Sequence, residues 1–236
     1  MTGVIDDSQR KAAKVAGAAY LISFASVVFA EFRIGERLFV PSAAETARNV
    51  LAHERLFRVG IACNLFYCVG VLVLLTALYV VLRPVSRGLA AFAAVCRLVY
   101  AMVWVEMSLK LADALRLFSN ADYLQVFGSD RVQALGKLAL GERFDAYYVA
   151  LLFGAIATTV CAVLWFRSGY IPKVLAGAGV LASLFCVACT SVFFIFPGFR
   201  DVVNLWWFDT PMGLCDIAIS VWLLSKGLSP AKTVES

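Results

Sequence analysis

Five charged side chains interrupt one apolar segment of this 236-residue chain: Arg97, Glu106, Lys110, Asp113 and Arg116. Acids and bases so placed have two chemical uses. Carboxylates facing each other across a closed cavity do acid–base work once one of them has a displaced pKa. A guanidinium held in hydrocarbon recruits a carboxylate, a carbonyl or a polar ligand. Glu106 and Lys110 are four apart and Asp113 lies three further on, so they share a helical face and can pair in series. Depth separates the set. Counted from Gly88, Arg97 lies ~14 Å along the helix, near the middle of a ~30 Å hydrocarbon core, whereas Glu106 lies ~27 Å along and Lys110 emerges. For the last four residues, a solvated extension of the helix competes with membership of a site.

Arg97 has no such alternative and needs an acceptor. Asp216 is the best candidate, ~8 Å below the outer boundary of a later apolar segment and within reach of an extended arginine. Asn64 enters from the same side at similar depth. An outward-opening polar pocket lined by Asn64, Arg97, Glu106, Lys110 and Asp216 follows as the candidate ligand site, with a buried ion pair that only fixes helix register as its structural counterpart. No residue of the set is assigned a catalytic role.

Other chemistries fail on inventory. Seven cysteines, at 63, 68, 96, 161, 186, 189 and 215, all fall inside apolar segments. Cys186 and Cys189 have the spacing of a redox dithiol, but an electron relay needs a second, outward-facing pair, and small packing residues are the better reading. The single histidine, His53, cannot build a bis-histidine haem or a multi-histidine metal site, so no metal and no cofactor is expected. No phosphate-cradling glycine motif, nucleophile elbow or dinucleotide fingerprint occurs. The net charge of +5 comes without a basic run interleaved with aromatics, which argues against nucleic acid as a partner.

The elements that must position these residues are membrane spans. With 62% apolar and 16% charged residues and a mean hydropathy of +0.84, the chain lies in the range of polytopic membrane proteins. Six apolar segments run roughly from Val15 to Phe32, Val59 to Leu82, Gly88 to Phe118, Tyr147 to Phe166, Val174 to Pro197 and Pro211 to Ser225. Backbone groups in hydrocarbon must bond within the segment, so the expectation is an all-α, six-transmembrane-helix bundle filling residues 1–236 as one membrane domain, with membrane lipid around it.

The connections alternate in character. Arg10, Lys11 and Lys14, the turn Arg83–Arg87, the turn Arg167–Lys173, and Lys226 with Lys232 mark one side. Raw Lys/Arg counts on the two sides are level, so density in the short turns decides for both termini on the cytoplasmic side of an inner membrane. Trp165 at one face and Trp206 with Trp207 at the other are expected in interfacial belts. A cleaved signal peptide ending near Ala30 is the competing reading of the first segment; it would leave five spans and spoil the alternation.

Two outer loops carry helix signals. Ser42 with Glu45 forms a capping box, from which a helix starts and runs into the second span. Ser129 caps a second stretch, with Val132, Leu135 and Leu138 at helical spacing and Gly141 as its stop. Both are expected as short interfacial helices. The strings EFRIGERLFVP, LFRVGI, LRPVSRGLAAFAAVCRLVYA, ADYLQVFGSDRVQAL, WFRSGYIPKVL and VWLLSKG resemble a bacterial integral-membrane family, domain of unknown function 4386, from about Arg10 to Gly227. The resemblance implies the six-span fold with roofing helices and brings no catalytic residue or substrate.

Three functions compete. The first is a binding or accessory membrane protein whose pocket holds a small amphiphile or lipid group. The second is an intramembrane isomerase or cyclase using Glu106 and Asp216 as acid and base. The third is a small transporter, which would show internal repeats and helices broken near the midplane. No convincing repeat is found, and Pro197 and Pro211 sit at span ends, so transport ranks last.

Overall fold

The computed structural model describes residues 5–119, 128–196 and 198–229, the side chains of residues 129, 130, 200 and 201 excepted. Among the described residues the regular elements are helices, with no strand. α1 (Asp7–Leu38) opens on a reciprocal capping box: Asp6 Oδ1 accepts from the Gln9 N–H at 2.6 Å, and Gln9 Oε1 accepts from the Asp6 N–H at 3.2 Å. The end of this helix is π-wound over Phe29–Gly35. α2 (Ala43–Ala52) has Ser42 as its cap, the hydroxyl accepting from the Glu45 N–H at 3.4 Å. One residue, His53, separates it from α3 (Glu54–Leu82). α4 is Arg87–Phe118, α5 Ser129–Ser168, α6 Lys173–Ile195 and α7 Trp206–Ser225, with a single helical turn at Phe199–Val202 before α7.

Five of these helices, α1 and α3 to α6, are long and apolar enough to cross a membrane. α7 is outside that set because Asp209 and Asp216 dilute its apolar run. Large apolar side chains such as Met102, Leu181 and Val174 are exposed, as expected of surfaces solvated by acyl chains rather than water.

Three expectations need correction. Gly141 does not end a separate helix: α5 runs unbroken for 40 residues. A terminating glycine adopts positive φ, which Gly169 and Gly227 do and Gly141 does not. Arg143 and Glu142 hold this stretch to other helices through ion pairs. The expected cap, Ser129, lies outside the described side chains. Trp165 is not a belt residue, being 2% exposed and set edge-on against Tyr170, whereas Trp206 and Trp207 are exposed. Pro211 lies inside α7 instead of opening it; as the sixth residue of the helix it removes the N–H that would bond the Trp207 carbonyl oxygen, while the helix start is capped by Asn204 Oδ1, which accepts the Trp206 N–H at 3.0 Å.

The chain gathers into two compact units. Unit 1 takes in α1 to Ile22, Gly70–Tyr100 and everything from Ala150; unit 2 takes in Ser23–Val69 and Ala101–Val149. The core of unit 1 is built on Ala13, Ala16, Val81, Leu164 and Ile171. There α1 approaches α7 so closely that a Cβ at Gly17 would stand 2.6 Å from the Ser220 carbonyl oxygen. The core of unit 2 is built on Ile34, Val50, Phe57, Ala114 and Leu115.

Candidate functional site

The α4–α5 pairing in unit 1 decides what Arg97 meets. Gly154 has no side chain to hold Tyr100 away, and a Cβ there would lie 2.8 Å from the ring. Because the two helices pair in opposite directions, stepping one turn along each from that contact brings Arg97 to Thr158, and Cys161, a further turn along α5, comes within reach of both Arg97 and its neighbour Cys96. Arg97, 8% exposed, donates from Nη2 to Thr158 Oγ1 at 3.2 Å. The Thr158 hydroxyl in turn serves the Asp216 carboxylate, which Arg97 also attracts electrostatically. The Cys161 thiol faces the same guanidinium.

Arg97, Thr158 and Asp216 line a half-open crevice together with Tyr20, Cys161, Ser220 and apolar residues of α1, α3, α5 and α7. Its interior is about 30 Å³, the room of about one water molecule; counted with its mouth the empty space reaches about 410 Å³. A smaller space of about 10 Å³ shares Leu78, Arg97 and Cys161 as walls and is otherwise lined by leucine, alanine and Tyr79.

The five expected site residues divide between the units. Arg97 and Asp216 meet at this crevice. Asn64, Glu106 and Lys110 belong to unit 2 and are not among the crevice's described lining. Asn64 is buried, with Oδ1 lacking a hydrogen-bond partner among the described residues. Glu106 is exposed. Lys110 makes its close ion pair across to Glu142 at 2.8 Å rather than along its own helix, and Arg116 stands 3.7 Å from Asp113. Lys110 thus takes its close contact across to α5, while Glu106 and Asp113 stay within electrostatic reach of it along α4.

Sequence reasoning missed Thr158. A threonine in a span reads as a back-bonding residue, and the neighbouring Thr159 does bond to the Ala155 carbonyl oxygen at 2.8 Å. It also missed a second buried arginine. In unit 2, Arg143 is 5% exposed, donates from Nη1 to both oxygens of Glu31 at 2.8 and 3.0 Å, and stacks between Phe39 and Phe144 at 5.3 and 5.2 Å. Glu31 sits in the π-wound part of α1. The one available signal was a carboxylate at the edge of the first apolar segment. The described cysteines are free thiols.

No curated protein and no solved structure matches the chain. A family model does, over residues 15–227, a range that takes in α1 from Val15 onward, the other four long apolar helices and α7, and the chain therefore belongs to the family described as domain of unknown function (DUF4386).

Proposed function

We propose that this chain is a six-span protein of the bacterial inner membrane that binds the polar end of a small amphiphile in the unit 1 crevice. One observation carries the reading: a guanidinium, a hydroxyl and a carboxylate from three different helices gather at a space whose other lining is mostly apolar. A binding site for an amphiphile needs that combination of few polar groups and a mostly apolar lining. On this reading α7 is the sixth span, its two aspartates tolerated because they face other helices, and α2 lies in the outer interface.

The enzyme reading is weaker, because the second carboxylate it requires, Glu106, is exposed and in the other unit, leaving Asp216 as the one carboxylate of the described lining. Native mass spectrometry of the full chain released from bacterial membranes in mild detergent tests the binding reading. A retained lipid-sized adduct is expected, and its presence unchanged in the Arg97→Leu/Asp216→Leu double variant defeats the assignment of the site. Orientation is tested by fusions: a reporter after Arg87 should read cytoplasmic and one after Arg131 extracytoplasmic, because the basic turns at 83–87 and 167–173 share a side.

A further inference from the structure

Charge is spread unevenly over the two units. In unit 2 cations find carboxylates within the protein: Arg58 pairs with Glu54, Lys110 with Glu142, Arg116 with Asp113 and Arg143 with Glu31. One end of unit 1 differs. Arg10, Lys11 and Lys14 of α1 and Arg83 and Arg87 of the α3–α4 turn are exposed there. So are Arg167 and Lys173 of the α5–α6 turn and Lys226, just past α7. Among the described residues none of these eight has a carboxylate within ion-pair distance, and the carboxylates described at that end are Asp6 and Asp7.

Packing gathers these segments. Gln9 Nε2 donates to the Val81 carbonyl oxygen at 3.2 Å, which ties the start of α1 to the end of α3. The Ser229 N–H donates to the Tyr170 carbonyl oxygen at 2.9 Å, which ties the chain after α7 to the α5–α6 turn. Arg167, Lys173 and Lys226 each stand three residues from that second bond, so at most about 10 Å of chain separates each backbone from it. One apolar core that includes Ile5, Val81, Ala90, Ile171 and Leu228 underlies both ties.

Two features specify the counter-ion. Arg87 and Lys173 open α4 and α6, whose first turns hold no acid, although the partial positive charge of a helix start favours an anion. Four of the cations also adjoin a large exposed apolar side chain: Lys14 beside Val15, Arg167 beside Phe166, Lys173 beside Val174, and Lys226 two residues from Leu224. Lys173 Nζ lies 6.0 Å from the Phe166 ring centroid. A dissolved polyanion would leave those apolar side chains in water. A phospholipid covers them with its acyl chains while its phosphate meets the cations.

We propose that the basic end of unit 1 is a binding surface for acidic phospholipids, their phosphates held by its Lys and Arg side chains and their acyl chains lying on the adjoining apolar residues. This surface is separate from the crevice, and its charge acts whichever side of the membrane it faces. The test is native mass spectrometry of the full chain in mild detergent, with equimolar dioleoylphosphatidylglycerol and dioleoylphosphatidylcholine added. Adducts should favour phosphatidylglycerol at least about tenfold, a ratio that two cations beside an anionic headgroup suffice to give. The preference should fade between about 0.1 and 1 M salt, as the Debye length falls from about 10 to about 3 Å. A lipid that survives the high-salt wash belongs to the crevice, which keeps the two sites apart.

Two triple variants locate the surface. Arg167→Gln/Lys173→Gln/Lys226→Gln removes three exposed cations that make no ion pair among the described residues, and should cut the preference at least about threefold. Arg33→Gln/Arg37→Gln/Arg48→Gln removes as many exposed cations from unit 2 and should leave it unchanged. Equal binding of the two lipids, a preference indifferent to salt, or the same response in both triple variants each overturns the proposal. Loss of the preference in Arg97→Leu/Asp216→Leu would put the acidic lipid in the crevice and likewise overturn it. A preference that behaves as expected, with no adduct surviving the salt wash, overturns the crevice reading alone.

Discussion

Arg97 and Arg143 are both nearly buried, at 8% and 5% exposed, and each is compensated by a carboxylate, yet the surroundings differ. In unit 2, Arg143 Nη1 donates to both oxygens of Glu31, and the guanidinium lies over two phenylalanine rings. That geometry uses the guanidinium as a joint: the carboxylate and the two rings of the protein itself compensate its charge. In unit 1, Arg97 shares Thr158 with Asp216 at the wall of an open crevice. A hydroxyl relay beside a water-sized space is a place where a ligand can enter the network without displacing a carboxylate. On the proposed reading one arginine serves structure and the other binding, and each half can be broken separately.

The largest effect belongs to Arg143. Arg143→Leu should strand Glu31 and remove the contacts of a buried guanidinium; because the Glu31 side chain keeps 31% of its surface exposed, the expected cost is about 3–4 kcal/mol, the lower part of the range for breaking a buried pair. The expected outcome is a large fall in the midpoint of unfolding in detergent, with much of it recovered by adding Glu31→Leu. Lipid retention per folded molecule should not change. A variant that stays as stable as the natural chain, or one that folds normally and loses the ligand, would reverse the assignment of the two arginines.

Arg97 comes next. Arg97→Leu and Asp216→Leu should each cost on the order of 3 kcal/mol, because each leaves the other charge buried. The double change should cost less than the sum, and the double variant should fold and lose its ligand. Double-mutant stability measurements decide this. Strict additivity would mean that the two charges do not sense each other, against the electrostatic link between them in the structure.

How far these sites could be read from sequence follows from where each residue sits. The Arg97–Asp216 association was legible because two charges deep in apolar segments have few acceptors to choose from. Glu31 with Arg143 was not, since both lie near segment ends, where a charge is ordinarily solvated and demands no partner. The long helices were legible from hydropathy alone. The passage of α5 through Gly141 was not, because glycine is both a stop and a tolerated interior residue, and here tertiary pairs from Glu142 and Arg143 decide between the two. Thr158 gave no signal: what distinguishes it from Thr159 is the helix it faces, which only packing reveals.

A smaller effect is expected at the close approach of α1 and α7. A methyl group at position 17 would stand 2.6 Å from the Ser220 carbonyl oxygen, and backbone cannot swing aside as a side chain can. Gly17→Ala should therefore cost about 1–3 kcal/mol through overpacking. It should also weaken lipid retention, since Tyr20 and Ser220 line the crevice beside this contact. A variant with reduced stability and undiminished retention would show that the walls contributed by α1 and α7 are not needed for binding.

The smallest effect is expected at Lys110, and it tests whether the charged end of α4 belongs with either arginine. Lys110 Nζ stands 2.8 Å from Glu142 Oε2, and the side chains of the pair remain about a third and nearly half exposed. Solvent screens such a pair, and the entropy of fixing two long side chains offsets most of the attraction. Lys110→Met should leave the unfolding midpoint within experimental scatter at moderate salt and leave lipid retention unchanged. The Arg143 pair, shielded by two aromatic rings, should keep its full effect as salt rises, while any contribution of Lys110 should vanish over the same range. A Lys110→Met variant that folds but no longer retains lipid would place this end of α4 in the ligand's path. The binding role would then have to be extended to Glu106 and Glu142, beside the three groups gathered around Thr158.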